Sequence, residues 1–338
     1  MIMSLLFSRK FRAFALSLSL ILVPIPFLKM LRREPKRTFS IVGSGRMGNL
    51  MFEYALVVSL CSLSGVDFKK CARFTESASQ REDLPLTYFF DAFKIDPSNW
   101  DRPLGTIVEH LEDGKDTRFR SDILELYQDK NSHMLKGYFQ SYKYFSPHTE
   151  MIIREAFTFN EKITQDARKF WTTMRSEIDQ KREIVCMACR RGDKTKEGAS
   201  SIYDKWALSS EYYLKAIETF KHDSKDIAVI VFLGGSFRAD DTNEDYAWLE
   251  RYIIDEYKQD ESITFIADSR IPQDPAVVMK SISLCSSIIV AASSFSWWAA
   301  YLSNATKIIA PGSIYSEERE FSINDYYPPN WSILMPNI

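Results

Sequence analysis

Four short clusters in this chain carry side chains able to do chemistry, each at the end of an apolar segment. Gly43-Ser-Gly-Arg-Met-Gly48 follows the strand-like Thr38–Val42 and opens a helical pattern. Glycines there, Gly45 and Gly48 among them, let a ligand approach the backbone, and the helix N-terminus behind them favours an anion. The spacing also matches a dinucleotide fingerprint. The ribose-binding acid expected about 20 residues on is not evident, Asp67 being nearest and standing at the start of its own strand. A plain tight turn is the competing reading.

Arg190-Arg-Gly-Asp193 follows the apolar strand Glu183–Ala188. Adjacent arginines at a strand end point to different sides, so at least one, Arg190 or Arg191, can face a phosphate bidentately. Asp193 would orient an arginine or a sugar hydroxyl; a structural ion pair is the bland alternative. Ser293-Ser-Phe-Ser296-Trp-Trp298 lies between a strand and a helix. The hydroxyls of Ser293, Ser294 and Ser296 with the free N–H groups of a helix start would cradle an anion, or Ser293 or Ser294 would simply cap the helix. Trp297 and Trp298 read as core residues before sugar platforms. Asp240 and Asp241, after Gly234-Gly-Ser236, would hold a ribose, act as a base, or cap the next helix. Cys186 and Cys189 sit three apart in one strand and face opposite sides of the sheet, which excludes a C-x-x-C redox pair. No D-x-D triplet occurs, so no metal–diphosphate site is expected.

These clusters need a scaffold, and the second half of the chain spells one out. Apolar segments Glu183–Ala188, Ile227–Leu233, Ile263–Ala267, Ile288–Ala292 and Ile308–Ala310 alternate with helical ones at Glu211–Lys221, Tyr246–Lys258, Pro275–Ser286 and Ser294–Leu302. Continuous apolar strands alternating with helices predict an α/β, doubly wound parallel sheet, whose ligands bind at the carboxyl ends of the strands. In the first half, Asn49–Ser64 is a helix stopped by Gly65, Gly137–Ser141 a short strand and turn, and Glu161–Lys181 a helix. The stretch from Cys71 to Lys136 gives no clear order.

At 338 residues the chain is long enough for two domains. Its 45% hydrophobic and 26% charged residues exclude a disordered, collagen-like or polytopic membrane protein. Up to Arg37 there are eight Lys/Arg and one Glu; the rest carries 35 basic against 44 acidic residues, a net of −9. So acidic a body is not expected to bind nucleic acid. Residues 13–28 form an uncharged apolar run flanked by Lys and Arg, short for a membrane core of about 30 Å but acceptable in thin membranes. We read it as a signal-anchor in the bilayer, with a cleaved signal as the alternative, after a tail of 1–12 and before a basic stem of 29–38. Asn304 and Asn330 head N-glycosylation sequons. Five scattered cysteines exclude a disulfide framework.

Taken in order, these segments resemble the α-1,2-fucosyltransferases, glycosyltransferase family eleven. Gly45-Arg-Met-Gly-Asn-Leu-Met-Phe-Glu-Tyr-Ala55 is similar to that family's G-x-x-G-N-x-M-x-x-Y-A, and Gly137-Tyr-Phe-Gln-Ser-Tyr-Lys-Tyr-Phe145 to its G-Y-F-Q-S-x-K-Y-F. Arg190-Arg-Gly-Asp193 resembles the end of H-x-R-R-G-D, and Ser293–Leu302 resembles S-S-F-S-W-W-A-A-x-L. Ile309-Ala-Pro311 and Asp325–Trp331 resemble its closing segments. The resemblance implies a GT-B-like fold of two Rossmann-like domains facing a cleft, an acceptor side at 39–180 and a donor side at 181–338. It implies a Golgi type II membrane enzyme that moves L-fucose from GDP-β-L-fucose to the 2-hydroxyl of a terminal galactose, inverting and without metal or other cofactor. It gives Arg190 to the departing diphosphate, adds Asn49 to the donor-binding residues, and makes the three serines the phosphate loop. Asp193, Glu53 and Asp241 are candidate bases. The chain departs from the family at Ala188, where His is expected, and at Val278, where related enzymes carry an Asp on the preceding helix. Both positions are associated with reading guanine, and Asp274 stands one turn earlier. A transferase of the same fold with another donor or acceptor, or a silent carbohydrate-binding protein, are the alternatives.

Overall fold

The structure, a computed structural model, describes residues 37–76, 86–96, 106–112, 118–145, 147–191, 207–224, 226–234, 239–313 and 322–335. The apolar run at 13–28, its tail, most of the stem, and Gly192-Asp193 lie outside the described residues. Among the described residues no helix is long and apolar enough to cross a membrane.

Two parallel sheets carry the chain. The first holds β1 (Phe39–Gly43), β2 (Ala72–Glu76), β3 (Ile107–Leu111) and β4 (Ser132–Lys136) in the order β2-β1-β4-β3. The second holds β5 (Glu183–Arg190), β6 (Ile227–Gly234), β7 (Ile263–Ile266), β8 (Ser287–Ile289), β9 (Lys307–Pro311) and β10 (Ser332–Leu334). Its order is β10-β9-β8-β5-β6-β7, which read from the other edge is the 3-2-1-4-5-6 arrangement of a doubly wound sheet. The chain therefore reverses direction between β5 and β8, and the loops leaving those two strands flank the switch point.

The expected pattern holds in the second sheet with shifts of a few residues. In the first, the strand expected at Gly137–Ser141 is instead the five residues before it, and Gly137–Ser141 is the loop that leaves β4. Asp67 does not begin a strand: it caps a short helix, Phe68–Cys71, by accepting from Lys69 N.

Helix α1 (Met47–Leu63) is buried on nearly every side, and Glu53 is its one charged residue. A helix apolar all round belongs inside a protein. It packs on β1 and, at its head, on α7 (Ser294–Tyr301) of the second sheet. Its end is a Schellman turn: Val66 N donates to Cys61 O, Gly65 N donates to Ser62 O, and Gly65 takes φ +72°. Helix α3 (Glu161–Glu177), capped by Asn160, lies against α6 (Pro275–Ser283), where Trp171 Nε1 donates to Ser281 O.

The two sheets share one core. Phe52 of α1 stands 4.6 Å from Trp297 and 5.1 Å from Trp298 of α7, ring centre to ring centre, and Phe145 and Phe157 close on Trp298 at 5.3 and 5.0 Å. Both tryptophans are fully buried, which makes them core residues. From the far end, Asp325 reaches back to the first half: its carboxylate accepts from Lys143 Nζ at 2.5 Å and from Phe119 N at 3.1 Å.

Candidate active site

Strand alternation sorts the two arginines. Cys186 and Ala188 face the core shared with α6, α7 and the first sheet, whereas Val185, Met187 and Cys189 face the opposite side. Arg190 follows the first set. The register of β5 with β8, Met187 against Ile289, sets Arg190 level with Ala292 when carried forward. That is one residue before the serine loop. Arg191 follows the second set. Its guanidinium lies 3.7 Å over the ring of Trp248, and its Nε is 3.5 Å from the nearly buried Asp245. It is thus held in a structural pair on the face away from the switch point, with a partner other than the neighbouring Asp193.

The serine loop heads α7. Ser293, with extended backbone, caps the helix by accepting from Phe295 N at 3.2 Å. Ser296 is buried and donates back to backbone carbonyls of Ala291 and Ser293. Ser294 donates to Asn49 Oδ1 at 2.6 Å. No acidic residue stands in the first turn of α7, so its positive pole and N–H groups are not offset by a local carboxylate.

The glycine loop of the first sheet meets this loop head on. A Cβ on Gly48 would lie 2.5 Å from Phe295 N and 2.6 Å from the Ser294 carbonyl carbon, so Gly48 serves the close approach of α1 to α7 and leaves no room there for a ligand. Gly45 takes φ +79°, which only glycine adopts cheaply, and stacks on the Asn49 side chain. Ser44 is turned inward: its N–H and its hydroxyl donate to the fully buried Glu53. Burial pushes the Glu53 carboxyl well above its ordinary value of 4.5, only partly opposed by the two bonds from Ser44. A fully buried carboxyl whose oxygens already accept from Ser44 does not reach a hydroxyl outside, which counts against Glu53 as the base.

Residues the sequence reading missed complete the junction. Glu112 accepts from Tyr138 N at 2.7 Å and from Phe139 N at 3.0 Å, holding the loop after β4 with Phe139 at φ +47°. That loop presents Gln140, whose Nε2 donates to Asn49 Oδ1 at 3.0 Å. Only the glycine before Tyr138 signals the turn, and Glu112 comes from the region without legible order. Arg46 stands at the head of α1.

The base-reading positions are apolar. Ala188 is buried in β5 and Val278 packs into the shared core from α6. Asp274 is the cap of α6: its Oδ1 accepts from Ala276 N, Val277 N and the hydroxyl of Tyr88, which lies in α2 (Leu86–Phe93) of the first half. The backbone of Asp240 and Asp241 lies in the first turn of α5 (Ala239–Leu249), a position that favours acids; their side chains, like Asp193, lie outside the described residues. Asn304 and Asn330 are exposed. Among the described residues no group of three or more His, Cys, Asp or Glu could hold a metal ion.

The model of glycosyl transferase family 11 matches residues 12–335. An alpha-1,2-colitosyltransferase of Escherichia coli is 26% identical over 204 residues, which cover 60% of this chain and 62% of that protein, less than two thirds of its length. A galactoside 2-alpha-L-fucosyltransferase of Bos taurus is 23% identical over 308 residues, 89% of this chain and 74% of that one. Among solved structures, the fucosyltransferase NodZ from Bradyrhizobium aligns over 81% of this chain and 96% of its own with a TM-score of 0.48 and 14% identity.

Proposed function

Because the chain belongs to glycosyl transferase family 11, we propose that it transfers L-fucose from GDP-β-L-fucose to the 2-hydroxyl of a terminal galactose, with inversion and without metal. The observation that carries this reading is the switch point of the second sheet, flanked by Arg190 on one strand and the serine-headed α7 on the next. In the reaction the galactose oxygen forms a bond to fucose C1 as the C1–O bond to the diphosphate breaks. The hydroxyl proton passes to a base and the electron pair leaves with the diphosphate. What the protein must supply is charge stabilisation where that pair arrives. A guanidinium and an uncompensated helix N-terminus are suited to it, the first by bidentate contact and the second by its N–H groups. With Glu53 enclosed, Asp193 and Asp241 remain the candidate bases.

The test is a transfer assay with the full chain, GDP-fucose and a galactose-terminated acceptor, with and without chelator, the product read by mass and linkage analysis. An α-1,2-fucosylated product that survives the chelator is expected. Strict dependence on a different nucleotide sugar would overturn the donor assignment. Ala188 and Val278 favour that second reading, since neither side chain can bond a base edge.

The body is further proposed to face the Golgi lumen on a signal-anchor at 13–28. Two exposed sequons accord with it. In secretory cells a glycosidase that removes N-glycans should increase the mobility of the wild-type chain, less so with Asn304→Gln, and not at all in the double variant with Asn330→Gln. A wild-type chain unchanged by the glycosidase would count against the luminal assignment.

A further inference from the structure

The three serines of the loop do not have equal protons to give. Ser296 spends its proton on backbone carbonyls within its own turn. Ser294 gives its proton to Asn49. Ser293 accepts from Phe295 N, and among the described residues no acceptor takes its proton. A hydroxyl has one proton, so of the three only Ser293 has one left to offer an incoming anion.

The same arithmetic explains Asn49. Its Oδ1 accepts twice, from Ser294 at the head of α7 and from Gln140 in the loop after β4. One atom in α1 thus ties the loops that leave β1, β4 and β8, which belong to two different sheets. Gly48 permits the approach, because any side chain there would strike Ser294 and Phe295. We infer that Asn49 is a positioning residue: with Gln140 it holds Ser294, and so fixes the serine loop of the second sheet against the first. Ser293 is left as the hydroxyl that meets the donor's diphosphate. The inference rests on the reading that this loop binds the diphosphate, and it sorts the loop by role.

The test separates affinity from turnover. Ser293→Gly keeps a residue that the cap position tolerates well, so its effect on ligand is readable. It should weaken GDP binding in calorimetry about tenfold. Asn49→Ala and Ser294→Ala should leave GDP affinity within about threefold and lower kcat about tenfold or more, because the loop still exists but is no longer set against the acceptor side. Their double variant should be no worse than the worse single one, since both cut the same tie. Asn49→Asp keeps an acceptor oxygen and should restore the tie while raising the donor KM by charge repulsion. A merely structural role would lower Tm and leave kcat per folded molecule unchanged, and would overturn the inference, as would additive single effects. If wild type transfers no fucose, the functional reading has failed separately. Hydrogen exchange then decides: peptides spanning 43–52 and 290–299 both losing protection in Asn49→Ala support the tie, and unchanged protection overturns it.

Discussion

The two sheets end alike and are finished differently. Both are parallel, both present a loop leading into a helix at the carboxyl end of a strand, and α1 and α7 meet head to head. In the first half the loop donors are met by acids of the same half. Ser44 donates to Glu53, and the N–H groups of Tyr138 and Phe139 donate to Glu112. In the second, no acid stands in the first turn of α7, and Ser293 keeps its proton. The first half carries its own acid where the second has none in the first turn of its helix. A glycine-rich loop is therefore not enough to locate an anion site; what matters is whether the protein has already filled it.

Variants should break this contrast in a graded way. The largest effect is expected from Arg190→Lys, which keeps the charge and loses the bidentate fork: kcat should fall about 10²–10³-fold with the circular dichroism spectrum and Tm unchanged. Wild-type turnover would remove Arg190 from the site. Gly48→Ala should drive α1 and α7 apart and cost about 1–3 kcal/mol in chemical denaturation. Gly234→Ala, at the end of β6 where nothing lies within 4 Å of an added Cβ, should leave stability nearly unchanged. Glu112→Ala strands two backbone donors beside the left-handed Phe139 and should cost about 1–3 kcal/mol, read by the same denaturation. The smallest effect, and the one with a definite sign, concerns Glu53. Its pKa is raised in the folded chain, so its contribution is full below about 4.5 and is lost as pH rises toward the folded value. Glu53→Gln should therefore gain Tm over wild type as pH rises from 5 to 8. A constant difference between the two across that range would show that the carboxyl is ionised in place.

The second sheet was legible because its strands are buried on both faces and read as unbroken apolar runs, such as Ile227–Leu233. The first was not, for reasons visible residue by residue. Strand β4 begins Ser132-His133, two buried polar residues: Ser132 Oγ accepts from Thr38 N, and His133 stacks on Phe39 and shares a bond with His110 through Nδ1, while its Nε2 lies 3.5 Å from Asp129. Strand β3 lies at the sheet edge, with Ile107, Val108 and Leu111 exposed, so no alternation marks an inside. In the second sheet the edge strand β10, three residues long and partly exposed, is the exception. At the site, Arg190 and the serines were legible as chemistry, but their division of labour was not. Which arginine faces the switch point follows from strand parity, and Arg191 is diverted by Trp248 and Asp245 more than fifty residues away. Asn49 was marked only by resemblance; its partners come from two other loops.

The aromatic seam has a consequence for how the molecule comes apart. Phe52, Phe145 and Phe157 on one side and Trp297 and Trp298 on the other form one dry packing layer between the sheets. Neither half keeps a finished interior alone, because removing one leaves the other's largest rings in water, at about 25 cal/mol for each Å² exposed. Melting is then a single cooperative event in which both sheets are lost together, seen as one calorimetric transition whose van't Hoff and calorimetric enthalpies agree. A chain cut between α3 and β5 would yield two fragments that fold only in each other's company.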